Sequence, residues 1–170
     1  FLPDPFGLKT EFVGFDNFTF LLTDPYYLAS FKTTLIFSIF VTVSSMLIGL
    51  YLAALADRLI KGSGVYQTLL IWPYAIAPAI AGVLWLFLFN GNIGLVSWYL
   101  QGLGYEWNHN LNGDQAMFLV VLASAWGRIS YNFLFFFAGL QAIPKSVIEA
   151  AAIDGASFWK RFATVVLPLL

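Results

Sequence analysis

Charge is absent from residues 35–56 and again from 62–105, and a third apolar run, 116–143, holds a single charge, Arg128. A helix that crosses a membrane needs roughly 20 apolar residues at about 1.5 Å each, so each run is long enough. The pattern predicts spans over 33–56, 66–89 and 116–143, with a further apolar run starting near 163. Polar segments separate them. Residues 1–32 carry Asp4, Lys9, Glu11, Asp16, Asp24 and Lys32 with prolines at 3, 5 and 25, and read as a loop with short helical pieces. DRLIKGSG, residues 57–64, reads as a charged turn. Residues 90–115 form a loop rich in Asn and Gly, in which Trp98, Tyr99, Tyr105 and Trp107 suit the headgroup level and GLVSWYL suits a short interfacial helix. Pro73 and Pro78 lie inside the second span. Each removes a backbone donor, which predicts a kink, either for packing or beside a cavity.

Composition turns this pattern into a class. The chain has 170 residues, 60% hydrophobic and 10% charged, with a mean hydropathy of +0.81. Soluble domains carry about 25% charge, so the expected fold is all-α, a polytopic bundle of transmembrane helices. The absence of cysteine excludes a disulfide framework and a thiolate metal site. His109, the one histidine, lies between Asn108 and Asn110 and reads as a solvated loop residue. No span holds a pair of carboxylates, which argues against an intramembrane enzyme, and no GxxxxGK[ST] loop is present for ATP hydrolysis. No basic run suits nucleic acid.

Arg58, Lys61, Lys145, Lys160 and Arg161 fall in the 57–64 and 144–162 segments, against Lys9 and Lys32 in the segments expected on the other side. The side with five positive charges is expected to be cytoplasmic. The chain starts FLPDPFG and stops at VVLPLL inside an apolar run, the pattern expected of a portion of a longer membrane protein, with three full spans and the start of a fourth.

Arg128 sits twelve residues into the third span, about 18 Å at 1.5 Å per residue. An arginine at that depth costs about 2.5–3.5 kcal/mol on the insertion scale and must face a partner or a water-filled path. Ser124, Arg128, Tyr131, Asn132 and Phe135 recur at helical spacings of three and four and share a face. Ser124, Arg128, Tyr131 and Asn132 offer a hydroxyl, a guanidinium, a phenol and an amide, donors suited to an anionic, hydroxylated solute, and a guanidinium holds phosphate oxygens bidentately. The alternative is an arginine bonded to carbonyls of the kinked second span, or to an acid on a partner subunit.

The 144–170 stretch, PKSVIEAAAIDGASFWKRFATVVLPLL, is the most specific. Pro144 with Ser146 and Glu149 predicts a helix start and a capping box. Gly155 fits a left-handed cap, and Ser157 can start a second helix. The spacing of Glu149, Ala150, Ala151, Gly155, Val165, Leu167 and Pro168 resembles the EAA loop of the membrane subunits of bacterial binding-protein-dependent ABC importers, with Val165 where isoleucine is usual. LQAIPKSVIEAAAIDGA is similar to the carbohydrate-uptake branch. VGFDNF, YQTLLIWPYAIAPAIAGVLW, NHN with QAMFLVVLASAW, and SYNFLFFFAGLQ extend the resemblance to the glycerol phosphate importers within it.

That resemblance implies a permease domain over 1–170 whose 144–162 loop forms coupling helices against a cytoplasmic ATPase, with Glu149, Ala150, Ala151, Asp154, Gly155, Leu167 and Pro168 as its residues. It implies half of a translocation pathway for sn-glycerol-3-phosphate or a glycerophosphodiester, in the bacterial cytoplasmic (inner) membrane. The implied partners are a second related permease, an ABC ATPase dimer that uses ATP and Mg, a periplasmic binding protein and the lipid bilayer. No cofactor is expected on this chain. A permease for a neutral sugar or oligosaccharide, and a structural membrane subunit without a path, are the alternatives.

Overall fold

A computed structural model of the chain describes residues 2, 3, 10–59 and 63–170, with side chains described for 12–57 and 64–170. Lys9, Arg58 and Lys61 of the expected charge asymmetry, with Asp4 and Glu11, therefore fall outside the described side chains. The chain divides into two compact units, residues 1–39 and 40–170.

In the first unit, β1 (Leu2–Pro3) and β2 (Thr10–Glu11) form a two-residue antiparallel pair. Helix α1 (Asp16–Thr23) follows, and α2 (Pro25–Leu59) then starts. Two turns of the expected loop thus belong to the long helix. Pro25 does not end helical structure there, because it occupies the first helical position, where its missing N–H is not needed. The Asp24 carboxylate accepts from Tyr26 N at 2.8 Å in the same turn.

The second unit holds the rest of α2, then α3 (Ser63–Ala75), α4 (Pro78–Leu88), α5 (Leu95–Gly102) and α6 (Gly113–Ala142). By length and composition α2 and α6 each suffice to cross a membrane. Gly64–Ala75 and Pro78–Leu88 suffice together but meet at 94°, and counted as one broken span they bring the number to three. The expected kink is thus a break, and only one proline makes it. Pro73 lies within α3, whereas Ala77, before Pro78, is extended at ψ 131 and Pro78 opens α4, as the clash of a proline ring with the preceding residue dictates.

α2 meets α6 along a stripe of small residues, Ser45, Gly49, Ala53 and Ala56. All four are buried. Without a hydrophobic driving force between helices in lipid, small residues let backbones approach and gain dispersion contacts. At Gly49 the fit leaves no space, since a β-carbon built there would lie 2.8 Å from Asn132 Cβ. Further along, Ala53 and Ala56 join Phe133, Leu140, Ile143 and Val166 in the buried core of this unit.

The 90–112 loop is folded onto the end of the bundle. Phe89, Trp107 and Leu119 form its apolar centre. The Phe89 carbonyl accepts from both Ser97 Oγ and Trp107 Nε1 at 2.9 Å. Buried Gln115 accepts from Asn108 N at 2.6 Å and donates to Glu106 O at 3.0 Å and Tyr105 OH at 3.3 Å. His109 is not the solvated residue expected: it is half-buried with its ring 6.3 Å from Trp107, and its Nδ1 is shielded without a partner among the described residues. Tight folding of a polar loop around tryptophan overrode its composition.

Candidate functional site

Asn112 starts α6, its side chain accepting from Asp114 N and Gln115 N, and Ile143 ends it in an extended conformation before Pro144. Arg128 is the sixteenth of the helix's 30 residues, close to the middle of a rod about 45 Å long. Its side chain is exposed and, among the described residues, no carboxylate or carbonyl pairs with it. Bonding to carbonyls of the bent second span is therefore not what holds it.

Arg128 lines a cavity of about 470 Å3 with Tyr131, Asn132, Thr42, Ser45 and Tyr74. Of the expected face, Arg128, Tyr131 and Asn132 meet here. Ser124 is half-buried and is not among the lining residues, because it lies a full turn away towards the start of α6. The other wall comes from α2 and the end of α3. Asn132 Nδ2 donates to Ser45 Oγ at 3.1 Å, and Ser45 Oγ in turn lies 3.2 Å from Thr42 O. Tyr74, just before the break, places its ring 6.1 Å from Tyr131, which is 4.5 Å from Phe135. The break thus delivers a second phenol to the cavity. The signals for this wall were the serines inside the apolar run of α2 and the tyrosine between Pro73 and Pro78.

The second feature is the loop after α6. Helix α7 (Lys145–Ile153) is followed by α8 (Phe158–Arg161), a π-helical turn (Phe162–Val166) and α9 (Leu167–Leu169). The capping box does not form: Pro144 occupies the cap position and no side chain bonds the first turn, since α7 begins one residue before Ser146. At the other end Gly155 has φ +75. Gly155 N bonds Ala152 O at 3.0 Å and Ala156 N bonds Ala151 O at 3.1 Å, the paired bonds of a Schellman cap. Ser157 Oγ then accepts from Lys160 N at the start of α8.

Glu149, Ala150, Asp154 and Gly155 are exposed on this helix–turn–helix, and Ala151 is half-buried. Leu167 and Pro168 are exposed in α9. Ile148 and Phe162 anchor the loop on the buried core, while Ile153 at 86% and Trp159 at 75% exposure point away from it. Neither belongs to the spacing that marks the loop in the sequence. Their signal was apolar bulk in an otherwise polar stretch.

A chain built this way is a helical component of a membrane, and its polar features lie where a transport protein needs them, inside the bundle and on one exposed loop. Over residues 29–170 it matches the family described as binding-protein-dependent transport system inner membrane component, and it belongs to that family. It is 60% identical over 167 residues to the sn-glycerol-3-phosphate transport system permease protein UgpA of Yersinia enterocolitica, and 59% identical to the protein of that name from Shigella flexneri. Each comparison covers 98% of this chain and 57% of the relative, so the chain spans a little over half the length of these curated relatives. In fold it is similar, with a TM-score of 0.79 at 20% identity, to a chain of a bacterial ABC transporter involved in the import of the acidic polysaccharide alginate, covering 95% of this chain and 57% of that one. It is also similar, at a TM-score of 0.75 and 20% identity, to a chain of the alginate transporter in complex with its pentasaccharide-bound periplasmic protein, covering 92% and 56%.

Proposed function

We propose that this chain is part of a multi-pass permease subunit of an ATP-driven importer in the bacterial inner membrane, forming half of a path for sn-glycerol-3-phosphate or a related glycerophosphodiester. It would act as a transport component and not as an enzyme, with ATP and Mg used by a separate ATPase dimer. A second permease completes the path, and a periplasmic binding protein delivers the solute. Residues 1–170 form part of one permease domain, and α7 and α8 dock on the ATPase through Glu149, Ala150, Asp154 and the exposed Ile153 and Trp159.

The observation that carries the substrate reading is the cavity at mid-helix. Its guanidinium has no partner among the described residues, and two phenols and an amide line the same cavity. A cation left without a carboxylate in a low-dielectric setting is costly and is stabilised when an anion passes. A neutral sugar would use the phenols and the amide but would leave Arg128 uncompensated. The relatives named as glycerol phosphate permeases support the same solute.

The test is uptake of labelled glycerol phosphate by the complex containing the full-length subunit. Arg128→Ala is expected to abolish uptake with assembly intact, and Arg128→Lys to retain part of it, since lysine keeps the charge but not the bidentate fork. Unchanged uptake in Arg128→Ala at normal protein levels would refute the reading and leave Arg128 to packing or to an acid on the partner.

A further inference from the structure

A small cavity of about 130 Å3 lies under α8, at the end of the bundle opposite the 90–112 loop, and it holds two charges of opposite sign. Asp57 of α2 and Arg161 of α8 line it, with Leu140 and Ile143 from the end of α6, Ile148 of α7, and Val166. Asp57 accepts from Gln141 Nε2 at 2.7 Å through Oδ1. That bond joins residues 84 apart in the chain and ties the end of α2 to the end of α6. The second carboxylate oxygen is left for another donor. Arg161 is half-buried, and among the described residues its guanidinium has no acceptor. Asp57 is the only carboxylate among the residues that line its cavity.

The position of Asp57 is unfavourable by itself. It stands in the last turn of α2, where the helix dipole disfavours a negative charge. A carboxylate there gains from donors outside its own helix, of which Gln141 supplies one. The turn after Arg161 supplies the means of reaching it. Phe162–Val166 is π-helical, a rare form that holds one extra residue in the turn. Closing it to α-helix rotates α8 by about 100° and shifts it by about 1.5 Å relative to α9, which is enough to re-aim Arg161.

We propose that Asp57 ties the exposed helical loop to the membrane helices, its carboxylate held by Gln141 and taken up by Arg161 when the π-helical turn closes, so that α8 then moves only with α2 and α6. The inference rests on the importer reading, in which α7 and α8 meet the ATPase. Asp57 and Arg161 are positioning residues in that process and touch no solute.

The experiment uses the reconstituted complex with the full-length subunit, and reads ATP hydrolysis stimulated by the loaded binding protein against basal hydrolysis. Asp57→Arg and Arg161→Asp, each alone, are expected to lower that stimulation about tenfold with assembly intact, and the two together to recover most of it, as coupled neighbours do. Losses in the exchanged pair that equal the product of the single losses would overturn the proposal. Cysteines placed at both positions give a second measurement that avoids charge reversal. The reduced pair is expected to show the same loss as the single variants and the cross-linked pair to recover stimulation, and stimulation unchanged by forming the cross-link would equally overturn the proposal. The wild-type complex runs in the same assay. A failure of the importer reading shows there, whereas a failure of the Asp57 tie shows only among the variants.

Discussion

Adding one methyl group at Gly49 tests the packing of α2 on α6 most directly. The new β-carbon would lie 2.8 Å from Asn132 Cβ and 3.1 Å from the Phe133 backbone nitrogen. Carbon atoms pack at about 3.5–4.0 Å, so the helices must part by close to 1 Å, and the atoms they part from belong to backbone and β-carbon, which cannot swing aside. Overpacking of this kind costs about 1–3 kcal/mol. The same movement stretches the 3.1 Å bond from Asn132 to Ser45 past hydrogen-bond range, a further loss of about 0.5–1.5 kcal/mol. Alanine returns up to about 1 kcal/mol of helix propensity, leaving Gly49→Ala less stable by about 1–3 kcal/mol. Gly82 in α4 is the control, because a β-carbon there meets nothing within 4 Å, so Gly82→Ala keeps the propensity gain alone. Thermal loss of the monodisperse peak of the purified full-length complex reads both. Gly49→Ala is expected to melt below the wild type and Gly82→Ala at or above it. A Gly49→Ala protein that melts at the wild-type temperature would refute the close approach.

Gly155→Val should reduce uptake, since a left-handed φ of +75 costs a branched residue about 1–2 kcal/mol and turns α8 away. Gly155→Asn should keep most of it, because asparagine tolerates that conformation. Gln115→Leu leaves Asn108 N and Glu106 O without the partner each now has, and should destabilise the outer loop by about 1–3 kcal/mol, read as faster hydrogen exchange over 105–115. Cysteines replacing Leu111, just before α6, and Ile153, at the end of α7, each 86% exposed, should react with an impermeant maleimide from opposite faces of the membrane, Ile153→Cys from the cytoplasm. Reaction of both from one face would break the span reading of α6.

The helices were legible because charge-free windows longer than a bilayer leave few options. Their ends were less so. Pro25 read as a loop residue because a proline outside a helix and one at its first position look alike in sequence. Prolines 73 and 78 predicted one kink, yet only Pro78 breaks the chain, since Pro73 is accommodated inside α3. Of the cavity, the half on α6 follows from spacing within one helix. The half on α2 and α3 does not, because no periodicity records that Ser45 meets Asn132 across 87 positions. His109 escaped for the same reason, its burial set by Trp107 folding over it.

The Ser45–Asn132 bond also orders events during synthesis. Ser45 leaves the ribosome 87 residues before its partner, and at 5–20 residues per second that interval is about 4–17 s. For that time α2 sits in the membrane with its small-residue stripe uncovered and a hydroxyl served only by its own backbone. The bent pair α3 and α4 enters meanwhile, before the helix that holds it is made. Whatever shelters this half-built bundle, whether translocon or lipid, must release α2 when α6 arrives, so the order of the sequence, and not the strength of the contact, sets the earliest moment at which the two helices can meet.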